Sequence, residues 1–284
     1  MTSLFEIKQS TGRPGMARRL LLIIGAVVAA SGVAMLPAAV VSLAYGEGDP
    51  ALQILGAAFV TTAVGFLAWR VFGQTGELTT REGFAAVGLA WFVMSAFGTL
   101  PFLFTDSIPT FLDAYFETAS GFTTTGASIV ADPSQLAKGV VFWRSTTQWI
   151  GGMGVIVLSI AILPLLGVGG VQLARAESPG PTPDRLTPRF QETAKRLWWV
   201  YVGLTAIQMV FLWIGDMDFF QAINHAMTTL STGGFGTEAT SITNFSAYTQ
   251  WVITVFMFIA GVSFALHFRA LRDPKAYFGS AEFG

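Results

Sequence analysis

Three consecutive threonines and a glycine, at positions 123–126, are the residues of this sequence best suited to binding an ion. Carbonyl and hydroxyl oxygens in such a run can replace the hydration shell of a monovalent cation in a membrane pore. Gly126 suits this use, because a residue without a Cβ can adopt a positive φ and turn its carbonyl where a threonine could not. The alternative is a threonine- and glycine-rich surface loop after an amphipathic helix. These four residues alone do not decide between the two.

The segment ahead of this loop is apolar but short. Roughly 12 residues, 111–122, precede the polar tract, whereas a membrane-spanning helix needs about 20. Non-helical backbone at membrane depth is tolerated only where it is buried in protein or lines a water-filled path. We therefore predict a short pore helix over 111–122 followed by a re-entrant loop. The negative carboxyl end of that helix would favour a cation.

Composition indicates a polytopic membrane protein. Hydrophobic residues make up 52% of the chain, charged residues only 12%, and the mean hydropathy is +0.59. Cysteine is absent from the sequence, which excludes disulfides, thiolate metal sites and a cysteine nucleophile. The predicted fold is an all-α polytopic membrane protein, and its apolar spans are expected at 20–45, 51–72, 84–104, 140–170, 195–215 and 248–268.

A segment rich in proline and arginine separates the chain into two halves. We predict an N-terminal helix pair, a first pore unit, a cytoplasmic linker, and a second pore unit with the start of a cytoplasmic tail. These four parts cover residues 1–73, 74–170, 171–194 and 195–284, respectively.

The distribution of basic residues predicts the orientation of the spans. The N-terminus, the 70–83 turn, the 171–196 segment and the tail together hold 14 of the 16 lysines and arginines. Basic residues accumulate on the cytoplasmic side of membrane proteins. We therefore predict that both termini are cytoplasmic and that the 111–128 stretch enters the membrane from outside.

An internal repeat favours the pore over the surface loop. A shift of 108 residues places 219–236 on 111–128, with four identities in 18 positions, and also places Trp251 on Trp143. Each copy lies between two predicted spans, which carries more weight than the identities alone. Both halves therefore follow the order span, short pore helix, Thr/Gly loop, span.

Three stretches, ETASGFTTTGAS, QWIGGMGVIVLSIAILPLLGVGG and RAESPGP, resemble the Trk/Ktr/HKT superfamily of potassium and sodium transporters, most closely its bacterial Trk potassium-uptake membrane subunits. The resemblance covers nearly the whole chain. It implies two N-terminal spans followed by two span–pore helix–filter loop–span units with re-entrant loops. It also implies potassium as the transported ion, no cofactor, and potassium coordination by the backbone around Thr123, Thr124, Thr125, Gly126, Ser231, Thr232, Gly233 and Gly234.

The sequence departs from the family pattern in the number of pore units. Four units surround one pore in the family, and only two are present here. We expect either that the chain is truncated at Gly284, which we favour, or that a second copy supplies the missing third and fourth units. The resemblance further implies a bacterial cytoplasmic (inner) membrane location, a homodimer, and a cytoplasmic nucleotide-binding regulatory subunit as partner. No nucleic acid partner is expected.

Charged and titratable residues near the loops suggest supporting roles. Arg144 lies in the outer part of the fourth predicted span, where it either supports the filter by pairing with Glu117 or carbonyls behind the first loop, or snorkels to the interface. His225 and His267 share no helical face with a carboxylate at metal-ligand spacing, so we assign both structural roles. Potassium at the loops is the only metal ion expected.

Three other functions remain as alternatives. The first is a sodium-selective or sodium-coupled member of the same superfamily. The second is a nonconducting membrane assembly subunit. The third is an intramembrane enzyme, which is disfavoured because the two histidines do not lie on facing spans and the sequence has no Gly-x-Ser-x-Gly motif or paired intramembrane aspartates.

Overall fold

The computed structural model describes residues 15–72, 80–162 and 186–271, together with Asp273, Lys275 and Tyr277. All regular elements within these residues are helical, which confirms the predicted all-α fold. The α-helices are α1 (Met16–Ala34), α2 (Leu36–Ala44), α3 (Gly48–Phe72), α4 (Thr80–Gly98), α5 (Leu100–Phe104), α6 (Phe111–Phe122), α7 (Lys138–Ile162), α8 (Leu186–Ile214), α9 (Phe219–Leu230), α10 (Ala247–Gly261) and α11 (Phe264–Ala270), and a short 3-10 helix covers Pro133–Gln135.

Several of these helices are long and apolar enough to cross a bilayer. Four described segments meet this criterion: Met16–Ala44, Gly48–Phe72, Glu82–Phe104 and Glu192–Ile214. The bent pair α10 and α11 makes a fifth if it counts as one span. The predicted fourth span, 140–170, corresponds to α7, which covers Lys138–Ile162. Its residues 163–170 lie outside the described part of the chain.

The predicted sixth span, 248–268, corresponds to two helices with a sharp bend between them. α10 ends at Gly261, and α11 leaves it at an angle of 98°. Val262 is extended at the break, with φ −86° and ψ 144°. The imidazole of His267 lies across the bend, with Nε2 2.8 Å from the Ile259 carbonyl oxygen and Nδ1 2.8 Å from the Tyr277 hydroxyl.

The end of the predicted linker, 171–194, is helical, because α8 begins at Leu186. Pro188 is compatible with this start because it lies in the first helical turn, where backbone N–H groups have no intrahelical partner. The predicted linker residues 171–185 lie outside the described part of the chain.

Polar contacts join the N-terminal helices to the rest of the fold. Arg19 of α1 and Glu82 of α4 form a buried ion pair. Between α2 and α3, the Glu47 carboxylate accepts the Ser42 hydroxyl at 3.0 Å and the Lys138 backbone N–H at 2.9 Å. Lys138 is the first residue of α7. The Glu47 side chain, from the N-terminal hairpin formed by α2 and α3, therefore satisfies one of the free N–H groups at the start of that helix.

Glycines allow α1 and α3 to pack backbone to backbone. A Cβ built on Gly65 would lie 2.8 Å from Ala29 Cα and would overlap the Ala29 nitrogen. Gly25 and Gly32 face the opposite helix equally closely. Small residues at such contacts are typical of membrane helices, whose association depends on close packing.

We predict that Gly65→Ala destabilises the protein, because overpacking of this kind costs about 1–3 kcal/mol. The measurement is the thermal unfolding midpoint of the purified protein in detergent. The matched control is Gly203→Ala in α8, where an added Cβ has no neighbour within 4 Å in the described structure. Alanine should be neutral or slightly stabilising there, since its helix propensity exceeds that of glycine. Equal midpoints for the two variants would contradict the close contact.

Candidate ion-binding site

The two Thr/Gly loops follow two helices of equal length. α6 covers Phe111–Phe122 and α9 covers Phe219–Leu230, the bounds that the sequence predicted for the two short helices. α9 begins with a reciprocal cap, in which Asp218 accepts the Gln221 N–H at 2.7 Å and the Gln221 side chain accepts the Asp218 N–H at 3.1 Å. Capping of this kind explains the start of the helix.

Both helices end in the same hydrogen-bonded turn. The N–H of Thr125 donates to the Ser120 carbonyl at 2.9 Å, and the N–H of Thr124 donates to the Gly121 carbonyl at 2.9 Å. The second copy repeats this pattern 108 residues later, with Gly233 donating to the Thr228 carbonyl and Thr232 to the Thr229 carbonyl. The pattern is that of a Schellman motif.

The loops also share their backbone conformation. Thr124 has φ +53° and Gly126 φ +77°, while Thr232 has φ +57° and Gly234 φ +80°. A β-branched residue at positive φ is uncommon and strained, at a cost of about 1–3 kcal/mol. The same strained residue type at equivalent positions of both copies indicates that the repeat extends to backbone geometry.

The two loops touch each other at their glycines. A Cβ built on Gly126 would overlap the carbonyl oxygen of Gly233. Gly126 is thus constrained twice, by its positive φ and by its neighbour. The site is therefore shared between the two halves of the chain.

α7 forms the surface against which both loops pack. A Cβ on Gly151 would overlap the Phe122 carbonyl, where the first loop begins. A Cβ on Gly152 would lie 2.8 Å from Ser231 Cα and 2.9 Å from the Tyr201 hydroxyl. The missing side chains of these two glycines therefore bring α7 against the starts of both loops.

A buried ion pair lies behind the loops. Arg144 of α7 donates to the Glu117 carboxylate of α6, with Nε and Nη2 each 2.8 Å from Oε1. The side chain of Arg144 is 2% exposed and that of Glu117 is fully buried. Arg144 therefore does not snorkel to the surface, which was the alternative considered from the sequence.

This ion pair contacts the chain after each loop. Glu117 accepts the Ser128 hydroxyl at 2.9 Å and the Ile129 N–H at 3.0 Å. Arg144 stacks 4.4 Å from the Phe235 ring centroid, and Nη1 donates to the Gly236 carbonyl at 3.4 Å. One arginine and one carboxylate thus join two segments that are distant in sequence.

His225 is the counterpart of Glu117 in the second copy, a relation that the sequence analysis missed. The 108-residue shift places Glu117 on His225 and Ile129 on Thr237. Glu117 binds Ile129, and His225 lies with Nε2 3.2 Å from the Thr237 hydroxyl. Comparison of the two repeats residue by residue, extended from position 128 to position 129, would have identified His225 as the counterpart of Glu117. His267 lies at the α10–α11 bend, apart from the loops.

The hydroxyls of the loops mainly bond within their own turns. Thr123 Oγ1 donates to the Ala119 carbonyl at 2.7 Å and lies 2.8 Å from Thr125 Oγ1. Ser231 Oγ donates to the Thr228 carbonyl at 3.1 Å. A cavity of about 410 Å³ borders the second loop. Within the described ranges, no group of three or more His, Asp or Glu side chains could hold a metal ion.

Comparisons with known proteins agree on the class of this chain. The family model of TrkH, a cation transport protein, matches residues 51–277. The chain therefore belongs to the TrkH family of cation transport proteins.

Individual relatives are potassium-uptake proteins by name. The Trk system potassium uptake protein TrkH of Escherichia coli is 44% identical over 265 residues, which cover 90% of this chain and 54% of the relative. The TrkH protein of Vibrio parahaemolyticus is 41% identical over 274 residues, or 94% and 56% of the two chains. The crystal structure of the potassium transporter TrkH from Vibrio parahaemolyticus has a TM-score of 0.83 at 37% identity, covering 94% of this chain and 55% of that chain.

The chain spans about half the length of the relatives it matches.

The family assignment excludes one of the alternatives raised from the sequence. Members of a transporter family are not enzymes, so an intramembrane enzyme is no longer a candidate.

We predict that Arg144→Gln destabilises the protein strongly, because breaking a buried ion pair leaves an uncompensated charge and costs about 3–5 kcal/mol. The measurement is the thermal unfolding midpoint of the purified protein, for Arg144→Gln, Glu117→Gln and the double variant. The double variant should lose less than the sum of the single losses.

The exposed pair of Arg196 and Glu192, 3.4 Å apart with side chains 48% and 68% exposed, provides the control. Arg196→Gln should change stability by no more than about 0.5 kcal/mol. Additive losses at Arg144 and Glu117 would contradict the coupling between these two side chains.

Proposed function

We propose that this chain takes part in potassium uptake across the bacterial cytoplasmic membrane, and that its two Thr/Gly loops form part of a potassium filter of backbone carbonyls. The filter residues are those of the two loops: Thr123, Thr124, Thr125, Gly126, Ser231, Thr232, Gly233 and Gly234. Three features support the proposal: the repeated backbone geometry, the contact between the loops, and the names of the relatives.

The repeated alternation of φ carries the proposal. In an extended chain successive carbonyls point to opposite sides. A residue at positive φ at every second position turns carbonyls toward a common side, as an ion pathway requires. Positive φ occurs at Thr124 and Gly126 in one loop, and at Thr232 and Gly234 in the other. The strained conformation is present in both copies. A common function in both loops explains this better than the coincidental occurrence of the same strain in two surface turns.

The helices ahead of the loops add a favourable potential. α6 and α9 each end where a loop begins. The carboxyl end of a helix carries a partial negative charge from its last carbonyls. In our proposal these two ends face the ion pathway and lower the free energy of a cation there.

Two loops supply only part of a ring of ligands. We propose that further loops of the same kind, from outside the two halves described here or from a second copy, complete the pathway. Assembly as a homodimer belongs to this proposal. We further propose, from the distribution of basic residues, that both termini are cytoplasmic and that a nucleotide-binding regulatory subunit binds on that side.

We predict that Gly126→Ser lowers the preference for potassium over sodium. Its Cβ would overlap the Gly233 carbonyl oxygen, and serine at φ +77° is strained, so the contact between the loops must change. The measurement is the ratio of potassium to sodium uptake by the native protein that carries these residues, in cells without other potassium-uptake systems.

Gly46→Ser is the matched control for backbone strain. Gly46 also has φ +77°, but an added Cβ there would have no neighbour within 4 Å in the described structure. This variant should keep the wild-type ratio. An unchanged ratio of potassium to sodium uptake in Gly126→Ser would contradict the filter assignment. A wild-type protein that takes up sodium in preference to potassium would instead indicate a sodium-selective member of the superfamily.

A further inference from the structure

Gln148 of α7 lies at the junction of the two loops and belongs to none of the contacts described so far. It follows Arg144 by four residues, so both side chains project from the same face of the helix. Its side chain is completely buried. Burial of an amide is costly unless its hydrogen bonds are made, so a fully buried glutamine calls for an explanation.

The acceptor end of Gln148 binds the second loop. Oε1 accepts the backbone N–H of Phe235 at 3.0 Å, across 87 residues of sequence. Phe235 directly follows the proposed filter residue Gly234 and stacks on Arg144. This bond therefore fixes the backbone where the second loop ends.

The donor end lies beside both loops. A Cβ on Gly233 would lie 2.7 Å from Nε2, and a Cβ on Gly126 would lie 3.9 Å from it. Nε2 has no hydrogen-bond partner in the described part of the chain. The amide therefore occupies the space that Gly233 leaves free, next to the contact between Gly233 and Gly126.

The repeat shows that this arrangement is specific to one half of the chain. The 108-residue shift places Gln148 on Phe256 and Arg144 on Val252, both apolar. Only α7 therefore brings polar side chains to the loops at these positions. One helix therefore contacts both loops through these polar side chains, and its counterpart in the second half does not.

We propose that Gln148 is a positioning residue that sets the spacing between the two loops, and through it the preference for potassium over sodium. The inference rests on the proposed function of the loops. Gln148 holds Phe235 through Oε1 and fills the space beside Gly233 with its amide. Selectivity depends on the number and placement of carbonyl ligands, so a change in loop spacing alters it.

Gln148→Met and Gln148→Glu separate volume from hydrogen bonding. Methionine has a similar size but cannot accept the Phe235 N–H, whereas glutamate keeps an acceptor at the same reach. Gln148→Met should lower the ratio of potassium to sodium uptake about fivefold, the change that one buried hydrogen bond supports. Gln148→Glu should retain most of the preference. The assay is uptake by the native protein in cells without other potassium-uptake systems.

Gln208→Met in α8 is the matched control, because Gln208 is also a completely buried glutamine and makes no hydrogen bond to the loops in the described structure. It should keep the wild-type ratio. If Gln148→Met does not accumulate in the membrane, Gln148→Asn replaces it: the shorter amide cannot reach Phe235 and should lose the preference too.

A wild-type ratio in Gln148→Met or Gln148→Asn would overturn the proposal, as would an equal loss in Gln208→Met or Gln148→Glu. Gly126→Ser distinguishes this failure from failure of the filter assignment itself. If Gly126→Ser lowers the ratio and the Gln148 variants do not, the loops still form the filter and only the role of Gln148 is wrong.

Discussion

The buried ion pair between Arg144 and Glu117 is the interaction on which the arrangement of the loops depends. Glu117 holds the backbone after the first loop, and Arg144 contacts the ring and carbonyl after the second. Separately, each charge would carry a large desolvation cost in this environment. Together with their additional hydrogen bonds, they connect the two halves of the chain, which the bond between Gln148 and Phe235 also joins.

α7 carries Arg144 and provides the surface against which both loops pack. Its face carries Arg144 and Gln148, which form hydrogen bonds, followed by Gly151 and Gly152, which allow close backbone contact. The N-terminal hairpin contributes by capping the start of α7 through Glu47. Strain at Thr124 and Thr232 persists in such a setting because the surroundings determine the loop conformation more strongly than the local preference of threonine does.

Local sequence features predicted the helical parts of the site well and its long-range contacts poorly. The bounds of α6 and α9 could be predicted because each is a short apolar stretch that ends in a polar tract. The bend after Gly261 could not, since no proline marks it. The bond from Gln148 to Phe235 crosses 87 residues, and nothing in the local sequence of either partner indicates it. The partnership of His225 with Thr237 was accessible through the repeat.

The central claim is that carbonyls of both loops coordinate potassium together. Anomalous scattering from crystals of the native protein grown with thallium or rubidium in place of potassium tests it most directly. The account predicts a peak within direct coordination distance of carbonyl oxygens from both the 123–126 and the 231–234 loops. Anomalous peaks confined to other parts of the protein, with none at these loops, would contradict it.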